Sequence, residues 1–145
     1  MPGAKLTCTW YTSKESRFSP IYMVTNATVI GMDLYAEGML YAIHDDVWRI
    51  DDTYVNEYYY CRVIGRNLLN GNCIGGGVGK NSRHIIDNCY FDNGVPGSTT
   101  VRYHNNSFPD STGDIFVSNS YFNGKLMFCY WGPESNKLDV YVTNC

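Results

Sequence analysis

The stretch Ile85-Ile86-Asp87-Asn88-Cys89-Tyr90-Phe91 limits what this chain can fold into, because the chain repeats it. Residues 115–122 restate it almost letter for letter, and Val140-Tyr141-Val142-Thr143-Asn144-Cys145 begins it again. Looser copies run through 28–34 and 58–63. With Met32, Cys61, Cys89, Ser120 and Cys145 as equivalent positions, the spacings are 29, 28, 31 and 25 residues. A period in that range marks a solenoid, whose repeats bury their apolar faces against one another. Apolar residues within each copy alternate as in a strand, not a helix. The expected fold is therefore all-β, a right-handed single-stranded parallel β-helix of about four to five coils. Ile86, Val117 and Val142 should stack inside it. The hand follows the general rule for parallel crossovers.

A meander of hairpins would need tight Asn-Gly turns between neighbouring strands. Asn70-Gly71, Asn93-Gly94 and Asn123-Gly124 fall just after or between the repeat strands, so they read better as a recurring corner. A sandwich would show frequent turn signals without long-range self-similarity. The glycine-rich stretch 75–79 before Lys80 invites a phosphate-loop reading. It lacks the Gly-Lys-Ser/Thr ending and the following helix, and glycine at a tight corner or beneath a bulky insertion explains it more simply.

Residues 1–20 fall outside the repeat and read as a capping strand, Lys5 to Tyr11, followed by a polar loop; residues 21–145 form the β-helix. Because Cys145 lies midway into a repeat strand, the expectation is that the solenoid continues beyond it or is covered there by another chain. Net charge is −3, which points to neither nucleic acid nor an anionic membrane surface. No stretch approaches the length of a membrane-spanning helix, and no signal-peptide core is visible. Cys61, Cys89 and Cys145 share one repeat position and read as small buried hydrophobes, although successive cysteines could be bonded across a strand spacing of ~4.8 Å. The absence of a Cys-x-x-Cys pair argues against zinc, and no metal or other cofactor is expected.

The laid-out repeats resemble the right-handed parallel β-helix proteins of the pectate-lyase-like superfamily. They are most similar to the β-helix parts of bacteriophage tail spikes, pre-neck appendages and bacterial surface proteins. The matching pieces are Tyr41-Ala42-Ile43-His44-Asp45-Asp46, Ile74-Gly75-Gly76-Gly77-Val78-Gly79, Asp87-Asn88-Cys89-Tyr90-Phe91, Tyr103-His104-Asn105 and Val117-Ser118-Asn119-Ser120-Tyr121-Phe122. They cover roughly residues 21–145 and are coil-building patterns, so they speak to fold before activity. The resemblance implies cell-surface polysaccharide as the partner, a virion or extracellular setting and, in the phage members, a homotrimer. No catalytic motif of a lyase, pectinesterase or polygalacturonase is present, which weighs against an enzyme.

Two constellations could carry chemistry. His44 and His104 each close the second strand of a coil, with Asp45, Asp46, Arg102 and Asn105 around them. A carboxylate beside imidazoles suits acid–base work on a glycosidic bond, which uses two carboxyls about 5–10 Å apart. Asp45 and Asp46 should face opposite ways on a strand, so one of them would need Asp51, Asp52 or Glu37 as partner. The plainer reading has the histidines hydrogen-bonding at a corner. The second constellation is aromatic: Trp48, Tyr103, Tyr130 and Trp131 could stack on sugar rings, with Tyr58, Tyr60 and Tyr121 adding to the aromatic surface. Its plainer reading is packing between chains or inside the coil. Asn88, Asn119 and Asn144 read as side chains stacked along a corner. The favoured function is a structural, glycan-recognising module, and the alternative is a polysaccharide-degrading enzyme of the same fold.

Overall fold

The computed structural model describes residues 4–9, 19–23, 26–46, 53–66, 71–79, 81–104, 112–128 and 137–145. It is a parallel β-solenoid of about four turns, with no helix among the described residues. Three five-stranded sheets form its walls. The first holds β1 (Lys5–Thr9), β4 (Asp33–Glu37), β7 (Arg62–Arg66), β10 (Tyr90–Asp92) and β13 (Tyr121–Asn123). The second holds β2 (Ile21–Met23), β5 (Tyr41–Asp45), β8 (Asn72–Gly77), β11 (Thr99–His104) and β14 (Lys125–Met127). The third holds β3 (Ala27–Ile30), β6 (Val55–Tyr59), β9 (Ser82–Asp87), β12 (Thr112–Ser118) and β15 (Lys137–Thr143). Every pairing among the described residues is parallel.

The repeat motif is a corner and not one strand. Its first half is the end of a third-sheet strand and its second half the start of a first-sheet strand, joined through a residue in the left-handed region. Gly31, Tyr60, Asn88, Asn119 and Asn144 occupy that position with φ of 67°, 54°, 52°, 49° and 53°. Asparagine and glycine adopt this conformation at least cost, which is why the motif carries Asn so often. The turn resets the inward alternation, so Ile86 and then Cys89 and Phe91 all face the interior. Two of the asparagines bond to each other, Asn144 Nδ2 donating to Asn119 Oδ1 at 3.3 Å, while Asn119 Nδ2 and Asn88 Nδ2 both donate to Asp87, at 2.9 and 2.7 Å.

Three inner ladders fill the coil. Leu34, Val63, Phe91 and Phe122 lie in register in the first sheet. Ile43, Ile74 and Val101 do so in the second. Tyr58, Ile86, Val117 and Val142 form the third, so the expected stack of Ile86, Val117 and Val142 is present. Most are fully buried, whereas Val142, on the last strand, is 47% exposed. Each such side chain contributes roughly 1.5–3 kcal/mol on burial. The segment expected as a cap supplies β1, which pairs with β4 in register as a first-sheet strand.

The sulfur positions also do more than fill space. Cys61, Cys73 and Cys89 are buried free thiols, while Cys145 is exposed. The Cys61 N–H donates to Cys89 Sγ at 3.4 Å, and the Cys89 N–H donates to Ser120 Oγ at 3.0 Å. Cys89 and Ser120 thus each serve a backbone N–H that the corner takes out of the ladder, which explains why Ser120 can stand among cysteines. Glycine 75–77 is likewise not at a corner. These residues lie inside β8, where a Cβ on Gly75 would collide with the Arg102 carbonyl and one on Gly76 with the Asp45 carbonyl.

These corners predict opposite outcomes for two substitutions. Tyr60 is 65% exposed and holds a left-handed conformation that costs a side chain about 1–2 kcal/mol, so Tyr60→Asn should stabilise the fold. Asn119→Ala should destabilise it by about 1–2 kcal/mol, with Asn119→Gly milder. Urea midpoints at unchanged slope provide the measurement.

Candidate functional site

The alternation of β5 sends Asp45 inwards and His44 and Asp46 outwards. On the outer face of the second sheet, Asp46 Oδ2 lies 3.3 Å from His44 Nε2 and accepts the Tyr22 hydroxyl at 3.0 Å. Its Oδ1 accepts the Gly77 N–H at 3.0 Å. Tyr41 stacks on the His44 ring at a centroid distance of 4.6 Å, and Tyr22 meets it edge-on. Burial pulls the His44 pKa below its ordinary value; Asp46 opposes this and His104 adds to it.

Register places Arg102 level with His44 across Gly75, and His104 level with Gly77. With no side chains on β8 between them, His44, Asp46, Arg102 and His104 share one outer face. An imidazole kept neutral and oriented by a carboxylate can accept a proton. A two-carboxylate glycosidase site is not formed there by the described residues, and Asp51 and Asp52 lie outside them. Glu37 stands on the first sheet, accepting the Tyr35 hydroxyl at 3.2 Å.

Asp45 anchors a separate, buried cluster. It accepts Asn56 Nδ2 at 2.6 Å and the Tyr103 hydroxyl at 2.7 Å, and its Oδ2 lies 2.6 Å from His84 Nδ1. Asp45, His84 and Tyr103 are fully buried. Burial alone would raise the Asp45 pKa, but His84 and the three hydrogen bonds outweigh it and hold the carboxyl below its usual range. Burial, then the Asp45 carboxylate, pushes the Tyr103 hydroxyl well above its ordinary value. Tyr103 therefore faces the interior with no ring surface for a sugar. Trp48, Tyr130 and Trp131 lie outside the described residues.

Sequence reading missed the outer face of the first sheet. A cleft of about 450 Å³ runs across its strands, lined by Lys5, Asp33, Arg62, Arg66, Tyr90 and Asp92 among others. Arg62 pairs with Asp33 at 2.9 Å. Asp92 Oδ1 accepts Asn123 Nδ2 at 3.0 Å and has Arg66 at 3.8 Å. The Arg62 guanidinium lies 6.0 Å over the Tyr90 ring, which stacks on Tyr121 at 5.1 Å. Because these rings face along the solenoid axis, the cleft presents ring edges and hydroxyls. The signal was available: Asp33, Arg62, Tyr90 and Tyr121 each follow the ladder position by one residue.

Among the described residues, no group of three or more His, Cys, Asp or Glu could hold a metal ion. The fold defines a class, the parallel β-solenoids. No protein-family model, curated protein or solved structure matches the chain.

The buried cluster and the outer histidine set distinct responses. Asp45→Ala strands His84, Asn56 and Tyr103 in the core and should cost about 3–5 kcal/mol, read from thermal or urea unfolding. With its folded pKa depressed, Asp45 contributes stability above about pH 3.9 that is lost as pH falls through the folded value. His44, also depressed, has the unfolded chain binding its proton first. Stability should therefore decline as pH drops below about 6.5, and His44→Gln should flatten that part of the profile.

Proposed function

We propose that this chain is a glycan-recognising β-solenoid module, of the kind its repeats resemble in phage tail spikes, pre-neck appendages and bacterial surface proteins. Its partner is a cell-surface polysaccharide and its assembly a homotrimer. The observation that carries the reading is the first-sheet cleft. There Arg62 with Asp33, and Asp92 with Asn123, hold donors and acceptors in fixed positions beside tyrosine hydroxyls. Paired charged groups of this kind bond sugar hydroxyls without demanding a charged ligand. The cleft crosses successive coils, so an extended polymer can lie along it.

Binding of the intact chain to a panel of bacterial surface polysaccharides tests this. Arg62→Ala should weaken binding at least about tenfold, the loss of roughly one charge-assisted hydrogen bond. Arg83→Ala on the third sheet should leave it unchanged. Equal effects of both substitutions, or no binding to any polysaccharide, would refute the assignment. Sedimentation equilibrium showing a monomer would remove the trimer.

The His44–Asp46 pair favours a second reading, a polysaccharide-degrading enzyme with His44 as proton acceptor and Arg102 and His104 beside it. New reducing ends or unsaturated products, abolished by His44→Ala or His104→Ala with binding retained, would establish it. Retained binding without turnover would leave the module reading in place.

A further inference from the structure

Cys61 and Cys89 occupy the same corner position on consecutive coils. Their flanking residues are paired in register, Tyr59 with Asp87 and Arg62 with Tyr90. In-register parallel strands set the two Cα atoms ~4.8 Å apart, inside the ~4.4–6.8 Å range that a disulfide spans. Cys89 Sγ already leans towards the coil of Cys61, lying 3.4 Å from the Cys61 backbone nitrogen and 3.4 Å from the Tyr58 carbonyl oxygen. Cys61 Sγ lies 3.4 Å from the Tyr59 carbonyl oxygen and 3.6 Å from the Val29 carbonyl oxygen of the preceding coil, so closing the bond requires a rotation of the Cys61 side chain. Both residues line an open groove of about 700 Å³ at this corner, together with Asn88, Asn119, Tyr90 and Tyr121. Each is nearly buried, at 2% and 4% exposure, so a small oxidant is the one that fits.

From this arrangement we infer that Cys61 is a site of peroxide oxidation resolved by Cys89, closing a disulfide that ties two consecutive coils together. The Cys61 thiolate attacks one oxygen of hydrogen peroxide. The O–O bond breaks, a sulfenic acid forms, and hydroxide leaves with a proton as water. Cys89 then attacks the Cys61 sulfur, the S–O bond breaks, and its oxygen departs as a second water carrying the Cys89 proton. Two thiols are oxidised and one peroxide is reduced.

Electrostatics assigns the order. The neighbouring Cys89 thiol is the main influence drawing Cys61 down to about 7, so Cys61 supplies the thiolate. Cys89 is raised chiefly by Cys61 and then by burial. Sulfenic acid formation removes the Cys61 charge and with it the main obstacle to ionising Cys89.

The test treats the folded full chain with hydrogen peroxide near neutral pH and maps peptides without reduction. The expected product is a Cys61–Cys89 linked peptide, reversed by dithiothreitol, with an unfolding midpoint several degrees above that of the reduced protein. Cys89→Ser should stay folded, because a serine already serves this column at Ser120, and should trap the Cys61 sulfenic acid as a dimedone adduct. Cys61→Ser should leave Cys89 reduced. Oxidation confined to Cys145 or another thiol, or a Cys61→Ser protein whose Cys89 is still oxidised by peroxide, overturns the assignment.

Discussion

Everything in this molecule depends on the parallel backbone ladder that sets each coil on the one before it in fixed register. A parallel pair gains its hydrogen bonds only if the chain returns to the same height after each turn. Here the return passes through a left-handed residue at one corner. The Gly31, Tyr60, Asn88 and Asn119 N–H groups donate to carbonyls one coil on at 2.9, 3.2, 3.2 and 3.1 Å. The corner thus keeps the ladder running while changing the direction of the strand. Once it is set, a residue's neighbours are those about one repeat away in sequence, and like stacks upon like.

That rule gives apolar ladders in each sheet, and one buried departure from them is informative. Asp45, Asn56, His84 and Tyr103 form a polar knot inside the coil. β5 and β11 are separated by β8, about two strand spacings or roughly 9–10 Å. Tyr103 reaches Asp45 because glycine stands at position 76 between them. Breaking such a knot costs far more than forming it gains, since its members would be left unpaired in the core. It matches particular coils to one another where apolar ladders would accept several registers.

The same stacking rule writes chemistry on the outside. On the first sheet it aligns Lys5, Asp33, Arg62, Tyr90 and Tyr121 in one column. On the second it gathers His44, Asp46, Arg102 and His104 around a glycine gap. The first arrangement combines an ion pair, Arg62 with Asp33, and a stacked pair of rings, Tyr90 with Tyr121. The second is a single acid–base cluster.

The sequence by itself determined the solenoid, its period, the column of Met32, Cys61, Cys89, Ser120 and Cys145, and the recurring corner asparagines. Those features repeat along the chain, and repetition survives in a linear string. It also settled that Asp45 and Asp46 would face opposite ways, because strand alternation is local. Only the tertiary structure decided that the repeat motif bends between two sheets, since one left-handed residue resets the alternation. Only the fold turned Tyr103 inwards, because its hydroxyl is satisfied by a carboxylate on another coil. The glycines of β8 found their reason in backbones approaching from both sides. The first-sheet cleft appears only when Lys5, Asp33, Arg62 and Tyr90, each unremarked alone, are laid side by side by the ladder.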